Sequence, residues 1–243
     1  MKRILSHMRR AIDDYNMISD GDKIAVGISG GKDSLALLSA LSAYRKFAKK
    51  DFSLVAITID MGFEGMDFSP IEEFCKKLDV PYFVKKTEIG QVIFDIRKES
   101  SPCSLCSKMR RGALNELAKE QGCNKVALGH HNEDVIETFF LSLFYEGRLN
   151  SFSPVTYLSR INLDVIRPLI YVPEGDIKGY AKRTELPVVK NLCPQDGVSK
   201  RQDMKDFIND KNKDDHHFKT RIMHAIKTGL EPWKTEVEKG QDL

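Results

Sequence analysis

The sequence predicts an α/β fold built on a doubly wound parallel sheet, and three observations carry that prediction. Short runs rich in β-branched and apolar residues occur at Lys23–Ile28 (KIAVGI), Ser53–Ile59 (SLVAITI) and Lys125–Leu128 (KVAL), each the pattern of a buried strand. Segments with helical apolar spacing alternate with them, at Leu35–Tyr44, Pro70–Leu78 and Val135–Tyr145. Each strand runs into a turn with a glycine, and open parallel sheets hold their ligands beyond the carboxyl ends of the strands.

At 243 residues the chain can bury a sizeable core as one domain, or as one large domain with a small appendage. Hydrophobic residues at 41% and charged residues at 30% are ordinary for a soluble globular protein. No apolar run approaches a membrane span, and MKRILSHMRR lacks a signal-peptide core, so the expected address is the cytoplasm, with no membrane partner. A net charge of +3 is too small to announce nucleic acid by itself. The basic residues are clustered, however, at Lys2, Arg3, Arg9 and Arg10 and again at Lys108, Arg110 and Arg111. Each cluster reads equally well as a solvated face.

Taken in order, Arg3–Ile18 has Ile4, Met8, Ile12, Tyr15 and Ile18 at helical spacing, which predicts a basic amphipathic helix flanking the domain. Asp20-Gly21-Asp22 ends it. The first strand then delivers Ser29, Gly30, Gly31, Lys32, Asp33 and Ser34 at the start of a helix. Two glycines let the backbone approach a phosphate closely, and the amides of the helix's first turn point at the anion. Lys32 adds a full charge, and Ser29 and Ser34 add hydroxyl donors. This is not the Walker A loop, because Lys32 is followed by Asp33 and no glycine lies five residues before Gly31. The string SGGKDS instead resembles the pyrophosphate loop of the adenine-nucleotide α-hydrolases, which cleave ATP between the α and β phosphates.

The second strand ends in Asp60-Met61-Gly62, where Asp60 can hold magnesium or a ribose hydroxyl, or serve simply as a turn aspartate. In Pro70–Leu78, Cys75 is expected to pack in the core. A third strand around Pro81–Val84 and a helical piece near Val92–Lys98 lead to SPCSLCSKMRRG. Cys103 and Cys106 form C-x-x-C, compatible with a redox dithiol, half a zinc site or half an iron-sulfur site. Five cysteines in a cytosolic chain argue against a disulfide framework, and no second C-x-x-C exists. Cys193, in KNLCPQDG, has the other metal-compatible setting, whereas Cys123 at a strand entrance is expected to pack. Spacing alone leaves zinc with a histidine and a three-thiolate cluster with one open iron equally open.

The strand KVAL delivers Gly129-His130-His131-Asn132-Glu133-Asp134, in which Asn132 is placed to cap the following helix. Gly129 and His130 are expected to complete the nucleotide site, and Asp134, like Asp60, is a candidate for magnesium. The combination of SGGKDS, PCSLCSKMRRG, LGHH with Asp134, LFYEGRL, VIRPLIYV and NLC, over about Gly21–Asp210, resembles the tRNA 2-thiocytidine synthetase family.

That resemblance implies a Rossmann-like, PP-loop (HUP-type) ATP-pyrophosphatase domain over 21–190. A basic helix at 1–20 and a C-terminal segment with a helical tail at 191–243 flank it. It implies ATP, Mg2+ and a [4Fe-4S] cluster held by Cys103, Cys106 and Cys193, with Lys32 and Asp33 also in the catalytic set. ATP binding falls to Ser29–Ser34, Asp60, Met61, Gly129 and His130, and RNA phosphate contacts to Lys108, Arg110, Arg111 and Arg148. The implied reaction adenylates the C2 oxygen of a cytidine in the tRNA anticodon loop, at position 32, and replaces it by sulfur. The implied sulfur donor is a cysteine desulfurase or inorganic sulfide, and the implied assembly is a homodimer. Two alternatives keep the ATP loop: a lysidine-synthetase-type ligase without a cluster, and a cluster-dependent sulfurtransferase acting on another substrate. A third is an RNA- or metal-binding module on a nucleotide fold. Asp203–Lys213 and Arg221–Ile226 are expected to be helical, while His216, His217 and Trp233 show no evident role.

Overall fold

The structure, a computed structural model, describes residues 1–97, 102–190, 192–193 and 200–235. Lys98 and Ser101, and the 194–199 and 236–243 parts of the C-terminal segment, lie outside the described residues. Helix α1 (Lys2–Asp14) precedes β1 (Asp22–Gly27), and α2 (Lys32–Arg45) carries the chain to β2 (Phe52–Asp60). Helix α3 (Ser69–Lys77) leads to β3 (Tyr82–Lys86). A short α4 (Ile89–Gln91), continued by a π turn over Val92–Arg97, and the long α5 (Pro102–Glu120) connect to β4 (Lys125–Ala127). Helix α6 (Asn132–Leu141), extended by a π turn over Ser142–Glu146, precedes the hairpin β5 (Val155–Leu158) and β6 (Leu163–Ile166). Helices α7 (Glu174–Arg183), α8 (Lys200–Asp214) and α9 (Phe218–Gly229) and a 3₁₀ turn (Glu231–Trp233) follow.

The strand order is β3-β2-β1-β4-β6-β5, and every pairing is parallel except β5 with β6. The antiparallel edge departs from the all-parallel expectation. Its cause is local: Asn162 in the left-handed region (φ 49°) lets a four-residue turn fold β6 straight back on β5. The strand period sorts side chains between two cores. Ile24, Val26, Leu54 and Ala56 face α1 and α2, while Ala25, Val55, Ile57 and Val126 face α4 and α5. Helices on both faces make the sheet doubly wound. The order reverses between β1 and β4, so the carboxyl ends of these two strands open a crevice.

Helix α2 is apolar all round because it is buried all round, from Ser34 to Leu41 without interruption. Helix α1 buries Ile4, Met8, Ala11 and Ile12 and stops at Asp14, earlier than its apolar spacing predicts, because Asn16 turns left-handed (φ 47°). Ile18 is buried in the same core but beyond the helix. Cys75 and Cys123 pack as expected, and burial, helped by Glu72, pushes the Cys75 thiol up to about 12. Trp233 corrects the reading of the tail. It is fully buried, donates its indole N–H to the Phe152 carbonyl at 3.1 Å and meets Tyr15 edge-on at 6.0 Å, fastening the C-terminal turn to α1.

Candidate active site

The turn between β1 and α2 is folded by its own serines. Ser34 Oγ donates to the Gly31 carbonyl at 2.9 Å and accepts the Ser29 amide at 3.2 Å, while the Gly31 amide donates to Ser29 Oγ at 3.3 Å. Gly30 is left-handed (φ +83°), which a side chain would strain, and Gly31 is the N-cap of α2. The result is a cradle at the N-terminus of a 14-residue helix, the arrangement that binds phosphate. Lys32 Nζ lies 2.9 Å from the Asp33 carboxylate and 3.1 Å from Glu174 Oε1. Burial works against its charge, but Asp33 and Glu174 outweigh burial and raise its pKa, so it stays an ammonium.

Opposite this loop, the turn after β4 closes against α2. A Cβ on Gly129 would lie 3.0 Å from the carbonyl of Asp33 and the amide of Ser34, so only glycine fits without a shift. His130 faces the crevice with its ring 4.8 Å from that of Phe152. Burial lowers its pKa to about 4, so it is a neutral imidazole, and its buried Nδ1 has no hydrogen-bond partner among the described residues. The helix cap differs from expectation. His131, not Asn132, is the N-cap of α6, and its amide donates to Asp134 Oδ2 at 2.9 Å, while Asn132 reaches the Ile170 carbonyl.

These turns enclose a cavity of ≈ 340 Å³. Ser29, Asp33 and Ser34 line one end, and Met61, Gly129, His130 and Asp134 line its flanks. From the other side Ser107, Arg110 and Arg111 of α5 complete it. Asp60 does not line the cavity; its carboxylate accepts the Gly62 amide at 2.9 Å, the turn-aspartate alternative. Of the two magnesium candidates, Asp134 reaches the cavity. Among the RNA candidates, Arg110 and Arg111 line it, whereas Lys108 and Arg148 are exposed outside it.

Cys103 and Cys106 stand in the first turns of α5, an element the sequence reading left unassigned. The missed signal is Pro102, which opens α5 and is a residue suited to the first helical position. Burial raises the Cys106 thiol; Arg110 works to lower it, and Cys193 and Cys103 act on it as like-charged neighbours. Cys103 and Cys193 therefore both lie near Cys106. Among the described residues no three His, Cys, Asp or Glu side chains are grouped tightly enough for a single metal ion, so zinc with a histidine finds no such group there.

Sequence reasoning missed a buried ionic layer behind the cradle. Glu133, Glu137 and Glu174 are each less than a tenth exposed. Burial favours the neutral form of Glu133, but His131, the Glu174 amide and Lys219 outweigh it and hold the group at about 2. Glu174 is held at about 2 because Lys178, Lys205 and Lys32 overcome its burial. Burial and then Asp134 push Glu137 up to about 7, and Arg201 and Lys205 offset only part of this. On α6, Glu133 and Glu137 look like a solvated helix face until α8 and α9 dock on it, while Glu174 opens α7.

The chain matches the family model described as PP-loop domain over residues 4–212. It is 40% identical over 208 residues to the tRNA-cytidine(32) 2-sulfurtransferase of Ralstonia pickettii, covering 85% of this chain and 66% of that protein. With the tRNA-cytidine(32) 2-sulfurtransferase of Citrifermentans bemidjiense it shares 38% identity over 227 residues, covering 92% and 89%. The solved structure of the U34-tRNA thiolase NcsA from Methanococcus maripaludis with its [4Fe-4S] cluster superposes with a TM-score of 0.76 at 25% identity, covering 93% of this chain and 78% of that one. The phosphate loop, the switch-point cavity and these likenesses agree: the chain belongs to the PP-loop domain family and, within it, to the tRNA-cytidine(32) 2-sulfurtransferases.

Proposed function

We propose that this chain uses ATP to replace the C2 oxygen of a cytidine, at tRNA position 32, with sulfur. One observation supports the reading most. Helix α5, which carries Cys103 and Cys106, lines with Ser107, Arg110 and Arg111 the same cavity that the phosphate loop lines with Ser29, Asp33 and Ser34. The helix that carries two of the thiols thus also forms one wall of the nucleotide chamber.

In the first step the cytidine C2 oxygen attacks the α phosphorus of ATP and pyrophosphate leaves. Ser29–Ser34, with the Lys32 ammonium, stabilise the charge that develops on the β and γ phosphates. Asp134, which lines the cavity, would hold Mg2+ there, while Gly129, His130 and Met61 border the nucleoside. In the second step sulfur adds at C2 and AMP departs with the oxygen. Cys103, Cys106 and Cys193 would hold a [4Fe-4S] cluster, which would supply an iron able to bind sulfur. Lys108 and Arg148 contact RNA phosphates outside the cavity, and Arg110 and Arg111 do so at its edge. An anticodon loop offers the unstacked base this requires.

On this reading 21–190 is the ATP-pyrophosphatase unit, 1–20 a basic flank and 191–243 the segment that brings the third thiolate. The sulfur comes from a cysteine desulfurase or inorganic sulfide, the site of action is the cytoplasm, and the chain works as a homodimer. Among the described residues no helix is long and apolar enough to cross a membrane. The cleavage position is directly testable. With tRNA present, α-labelled ATP is expected to yield AMP, with pyrophosphate in equal amount; ADP and phosphate as the products would overturn the adenylation chemistry.

A further inference from the structure

Arg167, in the stretch VIRPLIYV, is a buried cation with no counter-charge among the described residues. Every other acidic or basic side chain buried among those residues meets an opposite charge: Lys125 lies 3.1 Å from Asp22, Lys219 3.3 Å from Glu133, Arg201 3.3 Å from Glu137 and Lys32 3.1 Å from Glu174. Arg167, only 7% exposed, meets neutral acceptors alone. Its Nη1 donates to the Ser153 carbonyl at 2.6 Å and to Thr156 Oγ1 at 3.1 Å, while its buried Nε has no hydrogen-bond partner among the described residues. Burial and then the Arg111 cation push its pKa down to about 10, so it is still charged at neutral pH.

The sheet sets where this charge stands. Arg167 directly follows β6, at the carboxyl end that lies beside β4, where the Leu128 amide donates to the Ile166 carbonyl at 3.0 Å. It is therefore on the side of the sheet where the crevice opens. Its guanidinium lies 5.1 Å over the Phe152 ring, and that ring also meets His130, a wall of the cavity, at 4.8 Å. Arg111, the cation that acts on Arg167, lines the same cavity. A charge buried without a partner is costly, and its field reaches further through a dry layer than through water. Two neighbouring guanidiniums that repel one another both attract an anion in the cavity.

We propose that Arg167 supplies, from behind the layer of His130 and Phe152, the positive potential that holds a phosphate group of the ligand in this cavity, with Arg111 as the cation at its surface. Arg167 touches no substrate and is a positioning residue. The ligand chemistry is a phosphate ester, which both the nucleotide and the RNA backbone carry. The proposal rests on the ATP and tRNA reading of the cavity. A guanidinium with a packing role alone would act without regard to the ligand's charge, so that charge is the variable to change.

The experiment measures dissociation constants of the full-length protein for adenosine, AMP, α,β-methylene-ATP with Mg2+, and an unmodified anticodon stem-loop RNA. Arg167→Gln can still donate to the Ser153 carbonyl but carries no charge. It is expected to bind adenosine as the wild type does and to lose about tenfold in affinity for the probe whose phosphate meets this field. Arg167→Lys, which keeps the charge, is expected to retain most of that affinity. A loss on AMP and the ATP analogue assigns the phosphate to the nucleotide, and a loss confined to the RNA assigns it to the backbone. Wild-type affinity of Arg167→Gln for every probe would overturn the proposal, as would a loss for adenosine as large as that for AMP, which marks packing and not charge. Should Arg167→Gln not fold, Arg167→Met takes its place; failure of both to fold would make Arg167 a structural anchor and overturn the proposal too. A wild-type chain that binds no phosphate-bearing probe would overturn the ATP and tRNA reading as well, whereas the other outcomes leave that reading standing.

Discussion

Lys32→Ala is expected to lower kcat/KM for ATP by about 100- to 1000-fold, the loss typical when one preorganised donor to a developing anion is removed. The reason is position. Lys32 opens α2, directly after the two glycines of the cradle, where its ammonium adds a mobile charge to a helix N-terminus. In the structure it rests against Asp33 and Glu174, within a side chain's swing of the loop. The fold is expected to survive. Glu174 keeps Lys178 at 3.0 Å and Lys205 at 3.1 Å, so no carboxylate is left buried without a partner. Lys32→Arg, which restores charge in a bulkier shape, is expected to recover part of the activity. Steady-state kinetics with ATP as the varied substrate check the order; wild-type kcat/KM in Lys32→Ala would remove the cradle from the mechanism.

Cys193→Ala is expected to abolish thiolation and strip the anaerobically purified protein of most of its iron, while cluster-free protein still folds. The contrast lies with Cys75 and Cys123. Both are buried among apolar side chains, and both thiols are raised by burial. Replacing either by Ala is expected to cost roughly 0.5–3 kcal/mol in stability and to leave the iron in place. Iron analysis and thermal unfolding on the three variants separate the roles. Retained iron in Cys193→Ala would take the third thiolate out of the site.

The parts of this molecule that were legible in the sequence are those fixed by local rules. A β-branched run followed by Ser-Gly-Gly-Lys-Asp-Ser can hardly be other than a strand, an anion-binding turn and a helix, and β1, the cradle and α2 stand where that pattern puts them. Cys75 follows from helical apolar spacing, and Cys123 from its place at the entrance to a buried strand. What was not legible depends on distant packing. Glu133 and Glu137 become buried only because α8 and α9 lie over α6, and Trp233 finds its place only because α1 offers Tyr15. Asp60 shows the limit of a motif: the strand end was right, but the carboxylate turned to the Gly62 amide instead of the cavity. His131 took the cap position from Asn132 because Asp134, three residues on, supplies the acceptor for its amide.

The most direct measurement is nucleoside analysis of unmodified tRNA incubated without oxygen with the reconstituted protein, ATP, Mg2+ and sulfide. The account predicts 2-thiocytidine, confined to position 32, formed only when ATP is present and in proportion to the AMP released. AMP release with no sulfur in the tRNA, or sulfur placed on a uridine, would contradict it.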